Sequence, residues 1–229
     1  MRERRNFSLI ELLVTIAIIA ILSSILFPAL NRAKMTARAI TCTTNLKQVG
    51  VFFNMYANDF QDWLPKTWDG QKQWYRQFCD LGYANCTYAQ ARGDVPAGGA
   101  ATGRRYVFWC AEDKRDPVVG NTLPQGISYA LNECVAPYNE TGSFKHRKLS
   151  GILKPTGAML AIDSWNGSNY TGSGDGYVIN QTTANPTYNY VDYRHSGHCN
   201  LLFADGHASS AIRAEIPFGD ASATFWCGQ

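Results

Sequence analysis

The stretch that decides the fold is residues 7–30, which read FSLIELLVTIAIIAILSSILFPAL. As an α-helix rising about 1.5 Å per residue, this stretch is roughly 36 Å long, which exceeds the ~30 Å hydrocarbon core of a bilayer. We therefore predict a transmembrane or filament-core helix over residues 7–30. The aliphatic run is interrupted by six residues, namely Ser8, Glu11, Thr15, Ser23, Ser24 and Pro28.

The helical pattern continues beyond the apolar stretch. Apolar residues follow at alternating spacings of four and three, which predicts one stripe on an amphipathic helix over residues 31–60. Anchor and stripe together predict one helix of about 50 residues, near 75 Å long, which Pro28 should kink or loosen. The stripe consists of Met35, Ala39, Cys42, Leu46, Val49, Phe53, Tyr56 and Phe60.

The distribution of charge argues against nucleic acid as a partner. The chain carries a net charge of +3, and its excess of basic residues lies in the basic leader, residues 1–6, and in the segment 31–60. Residues 61–229 are close to neutral and therefore offer no basic patch for a phosphate backbone.

Residues 61–229 are predicted to form one globular β-rich head, because short extended runs alternate there with turn residues. The fold class is therefore α+β, with the long helix packed on a mostly antiparallel sheet. Segments 93–104 and 166–175 are loops by composition. Asp205-Gly206 predicts a two-residue hairpin turn. The strand candidates are residues 105–110, 126–132, 157–163, 176–180, 188–195, 200–204 and 207–212.

The N-terminal residues resemble the processing motif of type IV prepilins and pseudopilins. Basic residues precede Phe7, Glu11 occupies the fifth mature position and Pro28 the twenty-second, although Asn6 stands where the family has Gly. The resemblance implies cleavage between Asn6 and Phe7 by prepilin peptidase and methylation of the Phe7 amine. Two alternatives stay open here, an ordinary secretory signal peptide and a single-pass anchor with an uncut leader.

Glu11 also has a physical reason to be unusual. A carboxylate at the centre of an apolar helix costs roughly 2.5–3.5 kcal/mol on insertion scales, so it needs a partner. We expect none within its own helix, whereas the Phe7 amine, of the same or an adjacent subunit, is a suitable cation. Such a pair would set the register of packed helices during assembly.

The C-terminal segment also resembles a family. His195 followed by Asp205-Gly206 is similar to the H-x9-DG signature of a large bacterial family with prepilin-type leaders. Matching pieces are residues 42–48 (CTTNLKQ), 108–113 (FWCAED) and 128–132 (SYALN). This resemblance implies an exported filament-type protein whose head has no established catalytic activity.

The two resemblances together imply a structural subunit of a type IV pilus-like or type II secretion pseudopilus filament. The implied partners are other copies of the chain in a helical filament, prepilin peptidase, and the secretion or pilus assembly machinery. The implied location is single-pass in the inner membrane with the head in the periplasm, and the filament reaches the periplasm or cell surface. We expect no enzyme and no cofactor.

A metal site in the head is a weaker expectation. Asp192, His195, His198, Asp205 and His207 offer five ligand groups within 16 residues, a density that can bind zinc. The alternative is structural, with a turn at Asp205-Gly206 and a hydrogen-bonded His195. Calcium is a separate option, and its loop candidates are Asp163, Asn166 and Asp175.

The seven cysteines suit an exported protein with disulfides, and their odd number leaves at least one thiol unpaired. Cys79–Cys86 is the first predicted pair, because the two residues are close in sequence. Cys110–Cys134 and Cys199–Cys227 are further guesses, with Cys42 as a buried thiol.

Two rival functions remain. One is a membrane-tethered periplasmic binding protein that holds glycans or another protein and does not polymerise. The other is a tethered metal-dependent hydrolase using the His195–His207 segment. Six tryptophans could stack on sugars or partners, although we expect most to be core residues. They are Trp63, Trp68, Trp74, Trp109, Trp165 and Trp226.

Overall fold

A computed structural model describes residues 8–67, 72–85, 107–113, 127–136, 146–164, 178–179, 191–217 and 224–228. The chain divides into two compact units, Met1–Arg38 and Ala39–Gln229. The boundary lies within the first helix, eight residues beyond the predicted end of the anchor. Three of the expected segments, residues 93–104, 166–175 and the leader 1–6, lie outside the described residues.

Helix α1 spans Leu9–Asp59 and contains Pro28 without a break. The aliphatic residues of its first half favour helix in the absence of water, because every interior backbone group is bonded within the helix. Proline has no N–H, so one intrahelical bond is missing there. The expected single helix is confirmed, whereas the kink at Pro28 stays a prediction.

The predicted stripe on the second half of α1 is confirmed at its centre. The side chains of Cys42, Leu46, Val49 and Phe53 are at most 1% exposed. Each follows the last by three or four residues, so all four lie on one face of the helix and pack against the head. At the ends of the stripe, Met35 and Phe60 are exposed.

The head contains a five-stranded sheet with strand order β3-β1-β2-β4-β5. Strands β1, β2, β4 and β5 pair antiparallel, while β3 lies parallel to β1. The long helix and this sheet give the predicted α+β, pilin-like fold. The strands are β1 (Tyr129–Asn132), β2 (Met159–Asp163), β3 (Val178–Ile179), β4 (His198–Phe203) and β5 (Ala208–Ile212).

Both faces of the sheet are covered, which explains why β1, β2 and most of β4 are buried at every position. Tyr129 and Leu131 join the core that contains the α1 stripe. Ala130, between them, joins a second core on the opposite face, together with Trp226. Side chains of successive strand residues point to opposite faces, so two covered faces require continuous apolar runs.

Short helices complete the described part of the head. Helix α2 (Trp74–Asp80) presents Trp74 and Phe78 to Phe53 of α1, with ring centroids 5.9 and 5.1 Å away. Such stacked and edge-to-face aromatic pairs stabilise a core beyond simple area burial. Helix α3 (Thr224–Cys227) and the 3₁₀ turns Leu149–Gly151 and Arg213–Glu215 follow later in the chain.

Several strand predictions are corrected. The described end of segment 105–110 forms a turn, and segment 188–195 contributes isolated bridges at Val191 and His195 in its described part. The β4–β5 hairpin is confirmed, but β5 begins at Ala208 and four residues separate the strands. The prediction of a two-residue loop is wrong, because Asp205 and Gly206 are only the two central residues of a four-residue turn.

Candidate functional site

The first half of α1 exposes an apolar surface of a kind that a protein does not leave in water. Its large apolar residues between Leu9 and Leu30 are each 49% to 81% exposed. Helix α1 contains a stretch long and apolar enough to cross a membrane. Exposed patches of this extent indicate contact with lipid or with other protein chains.

Glu11 forms a contact that the sequence analysis missed. The backbone N–H of Ser8 donates a hydrogen bond of 2.9 Å to Oε2 of Glu11, and the Ser8 carbonyl accepts from the N–H of Leu12. Ser8 therefore occupies the N-cap of α1 and Glu11 the third helical position, as in a capping box. The expectation that Glu11 lacks a partner within its own helix is wrong, and the pattern Ser-x-x-Glu was its signal. Asn6 and Phe7 lie outside the described residues.

Residues from the sequence segments that resembled the H-x9-DG family meet at one buried place in the head. Cys42 on α1 forms a disulfide with Cys110, with their Cα atoms 5.1 Å apart. The backbone N–H of Cys110 donates to the hydroxyl of Ser128, at 2.9 Å. Nε2 of His195 lies 3.3 Å from Sγ of Cys110. Residues distant in sequence are thus joined around one disulfide.

Asp163, at the end of β2, holds His195 in this cluster. Its Oδ2 lies 3.2 Å from Nε2 of His195 and accepts a 2.7 Å hydrogen bond from the backbone N–H of Asn200. The side chains of Asp163 and His195 are 0% and 4% exposed. Burial of a carboxylate is costly unless it is paired and hydrogen-bonded, and these contacts supply that compensation.

A buried arginine lies next to the cluster. Arg194 forms ion pairs with Asp113, at 2.8 Å, and with Asp192, at 2.9 Å. Burial by itself lowers the pKa of the Arg194 guanidinium, but the carboxylates of Asp163, Asp113 and Asp192 outweigh this effect and raise that pKa. The Ser128 hydroxyl donates to Asp113 at 2.7 Å. The charge network therefore fixes segments 108–113 and 192–195 against the sheet.

Asp205 and Gly206 form the turn between β4 and β5. The backbone N–H of His207 donates to Oδ1 of Asp205 at 3.0 Å, and Gly206 has a φ of +87° that favours glycine. Desolvation raises the pKa of the Asp205 carboxyl, but the hydrogen bonds from His207 outweigh desolvation, so that this pKa is lowered. A Cβ at Gly50 of α1 would lie 3.5 Å from the Gly206 carbonyl oxygen, so the turn packs closely on the helix.

The structure separates the five residues first considered for a metal. His195 lies inside with Asp163 and Cys110, whereas Asp205 and His207 contact each other on the surface. Asp192 pairs with Arg194, and the imidazole of His198 lies near the Ser196 carbonyl. For calcium, Asp163 is buried in the cluster, while Asn166 and Asp175 lie outside the described residues, so calcium stays a prediction.

The disulfide predictions need correction. Because Cys42 is bonded to Cys110, the pair Cys110–Cys134 and the assignment of Cys42 as a thiol are wrong. The Cys199 thiol donates to the carbonyl of Ala211 and is not bonded to Cys227. Burial, aided by the charge of nearby Asp163, raises the pKa of Cys199 to about 12. Cys86 lies outside the described residues, so the pair Cys79–Cys86 stays a prediction.

Tryptophans in the described part of the chain are mostly core residues, as expected. Trp74 and Trp226 are fully buried and Trp109 is 5% exposed, whereas Trp63 is 37% exposed and stacks on the ring of His146. Trp68 and Trp165 lie outside the described residues.

Comparison with known proteins found similarity over part of the chain. A family model described as the prokaryotic N-terminal methylation motif matches residues 1–27. The type IV wide pilus major component of Thermus thermophilus is 44% identical over 59 residues, which is 26% of this chain and 45% of that protein. The chain thus spans less than half the length of the curated relative it matches. No solved structure matches the chain significantly.

Proposed function

We propose that this chain, a type IV prepilin-like protein, is a structural subunit of a pilus-type filament. The observation that carries the proposal is the exposed apolar half of α1 with Glu11 in its first turn. The family match at residues 1–27 and the similarity to a pilus component support it. In this account, apolar helices of many copies pack together and the heads lie outside.

The chain is first a membrane protein in this proposal. The apolar residues of α1 hold it in the inner membrane, with the head in the periplasm, until prepilin peptidase removes residues 1–6. The free Phe7 amine, methylated after cleavage, then becomes a cation near the start of α1. The filament is either a type IV pilus or a type II secretion pseudopilus, whose assembly machinery draws the subunit from the membrane.

The head contributes stability and surface rather than chemistry. Its charged cluster is buried, with the side chains of Asp163 and His195 at most 4% exposed. A catalytic group has to reach its substrate, and this cluster is closed to solvent. A disulfide that ties α1 to the loop of Cys110 suits a subunit that bears load outside the cell.

Processing tests the proposal. The chain is expressed in a host with an active prepilin peptidase, extracted from membranes and analysed by intact-mass measurement. We expect a chain that begins at Phe7 with a methylated amine, and a full-length chain when the peptidase gene is deleted. A chain that still begins at Met1 in the peptidase-positive host would refute the proposal and favour a tethered binding protein.

A further inference from the structure

The buried cluster in the head combines groups that bind soft metal ions. Sγ of Cys42, Sγ of Cys110 and a ring nitrogen of His195 all lie within 4.8 Å of one another, and all three residues are buried. Within the described residues, this is the one group of three or more such side chains close enough to share an ion. The three residues come from α1, from segment 107–113 and from the bridge before β4, so the fold itself brings them together.

Two atoms of the cluster have unused binding capacity. Oδ1 of Asp163 and Nδ1 of His195 are buried and have no hydrogen-bond partner. Buried polar atoms are almost always hydrogen-bonded, so each exception needs an explanation. A cation bound by His195 would lie near the Asp163 carboxylate, which is 3.2 Å from Nε2 of His195, and would offset part of the cost of its burial.

We propose that, when the disulfide is reduced, Cys42, Cys110 and His195 bind one zinc ion. Two thiolates and an imidazole belong to the ligand types that zinc takes in tetrahedral protein sites, where a water molecule can take the fourth position. The proposal is independent of the filament function and concerns the redox state of the head.

The disulfide and the zinc site exclude each other, because they use the same two sulfur atoms. A dithiol reductant delivers two electrons and two protons to the Cys42–Cys110 bond, gives two thiols and is itself oxidised to a disulfide. Binding of Zn²⁺ then replaces the two thiol protons, which pass to water. A disulfide oxidant reverses the sequence: it accepts two electrons from the two thiolates and two protons from water, becomes a dithiol, and leaves free Zn²⁺ and the Cys42–Cys110 disulfide.

Neighbouring groups are placed to support thiolate ligands. The backbone N–H of Ala111 donates to Sγ of Cys42 at 3.1 Å, and the backbone N–H of Asn200 orients the Asp163 carboxylate at 2.7 Å. Partners of this kind fix the ligands of a metal site, and their loss typically weakens metal affinity by roughly 10- to 100-fold. The site is therefore held from several elements before the ion enters.

The test uses the full-length protein in detergent, reduced without oxygen by a phosphine that is then removed. It is titrated with Co²⁺, whose bonds to thiolate give a strong near-ultraviolet absorption. We expect one equivalent of Co²⁺ per chain, displaced by Zn²⁺, and no such absorption from the oxidised protein. Reduced wild type that shows no thiolate-to-cobalt absorption would overturn the proposal.

Variants separate this site from adventitious binding to thiols. His195→Gln should lose the cobalt absorption, and Asp163→Asn should bind Co²⁺ roughly 10- to 100-fold more weakly. Cys199→Ser is the matched control, since Cys199 is a buried cysteine outside the cluster, and it should bind as wild type does. Equal binding by His195→Gln and wild type would contradict the assignment.

A measurement on the wild-type protein alone still tests the proposal if the variants fail to fold. X-ray absorption of the reduced, zinc-loaded protein should show two sulfur ligands at about 2.3 Å and nitrogen or oxygen ligands at about 2.0–2.2 Å. Zinc should also raise the unfolding temperature of the reduced protein and leave that of the oxidised protein unchanged. A zinc ion without sulfur ligands would refute the site.

Discussion

Replacing Glu11 by glutamine and by alanine separates the two roles that this carboxylate has in the proposed account. In the structure it accepts a 2.9 Å hydrogen bond from the Ser8 backbone N–H. In the filament it should also neutralise a Phe7 amine. Glutamine keeps an acceptor oxygen for the cap but removes the charge, whereas alanine removes both.

The two roles differ in magnitude. Loss of a helix cap costs about 0.5–2 kcal/mol, whereas removal of one partner from a buried ion pair costs about 3–5 kcal/mol. Since about 1.4 kcal/mol corresponds to a factor of ten in an equilibrium constant, loss of the pair should reduce subunit association more than about a hundredfold. We therefore expect Glu11→Gln and Glu11→Ala to be similarly defective.

The assay compares filament yield at matched membrane levels. Each variant is expressed in place of wild type, its membrane level is measured by immunoblot, and filaments are sheared from the cells and quantified. Membrane levels should be equal or higher in the variants, because a charge leaves the apolar helix. Thr15→Val, which removes a polar but uncharged group from the same stretch, should assemble normally. Wild-type yield from Glu11→Gln would refute the role of the charge.

Three further predictions concern the head. Non-reduced peptide mapping should find Cys42 linked to Cys110, and unlinked peptides would contradict the disulfide. Because this bond closes a separation of 68 residues, Cys110→Ala should lower the free energy of unfolding by about 4 kcal/mol. Cys199, whose pKa is raised to about 12, should resist alkylation at pH 8 until the protein unfolds, and rapid labelling of folded protein would disprove its burial. Gly50→Ala would place a Cβ 2.9 Å from a leucine of β4 and should lower the free energy of unfolding, measured by chemical denaturation, by about 1–3 kcal/mol. The control Gly151→Ala, whose new Cβ has its nearest contact at 4.0 Å, should lower it clearly less. Equal decreases in the two variants would argue against close packing at Gly50.

Local patterns predicted the elements that local physics determines. The alternating spacing of apolar residues located the buried stripe around Leu46 and Phe53, and Asp205-Gly206 located the β4–β5 turn. Both signals involve residues a few positions apart in the sequence. At such short separations, local backbone geometry alone determines how the residues are placed in space. The capping contact of Glu11 was equally local, and Ser8 three residues before it was the available signal.

Contacts between distant residues could not be predicted in the same way. Cys42 and Cys110 are 68 residues apart, and the guess of Cys134 as the partner of Cys110 was wrong because disulfide connectivity depends on the folded structure. His195 was considered with its sequence neighbours His198 and His207, yet the bridge before β4 turns it inward to Asp163. Residues 107–110 (VFWC) are apolar because most of them are buried as a turn, which periodicity alone does not distinguish from a strand.

Cryo-electron microscopy of filaments sheared from cells tests the filament-subunit claim most directly. The account predicts filaments built from this chain, with residues 9–30 as packed helices in the core and the Glu11 carboxylate beside a Phe7 amine. It also predicts that filaments made from this chain disappear when its gene is deleted and return when the gene is restored. If the processed chain stays in the membrane fraction and contributes to no filament, the claim is contradicted.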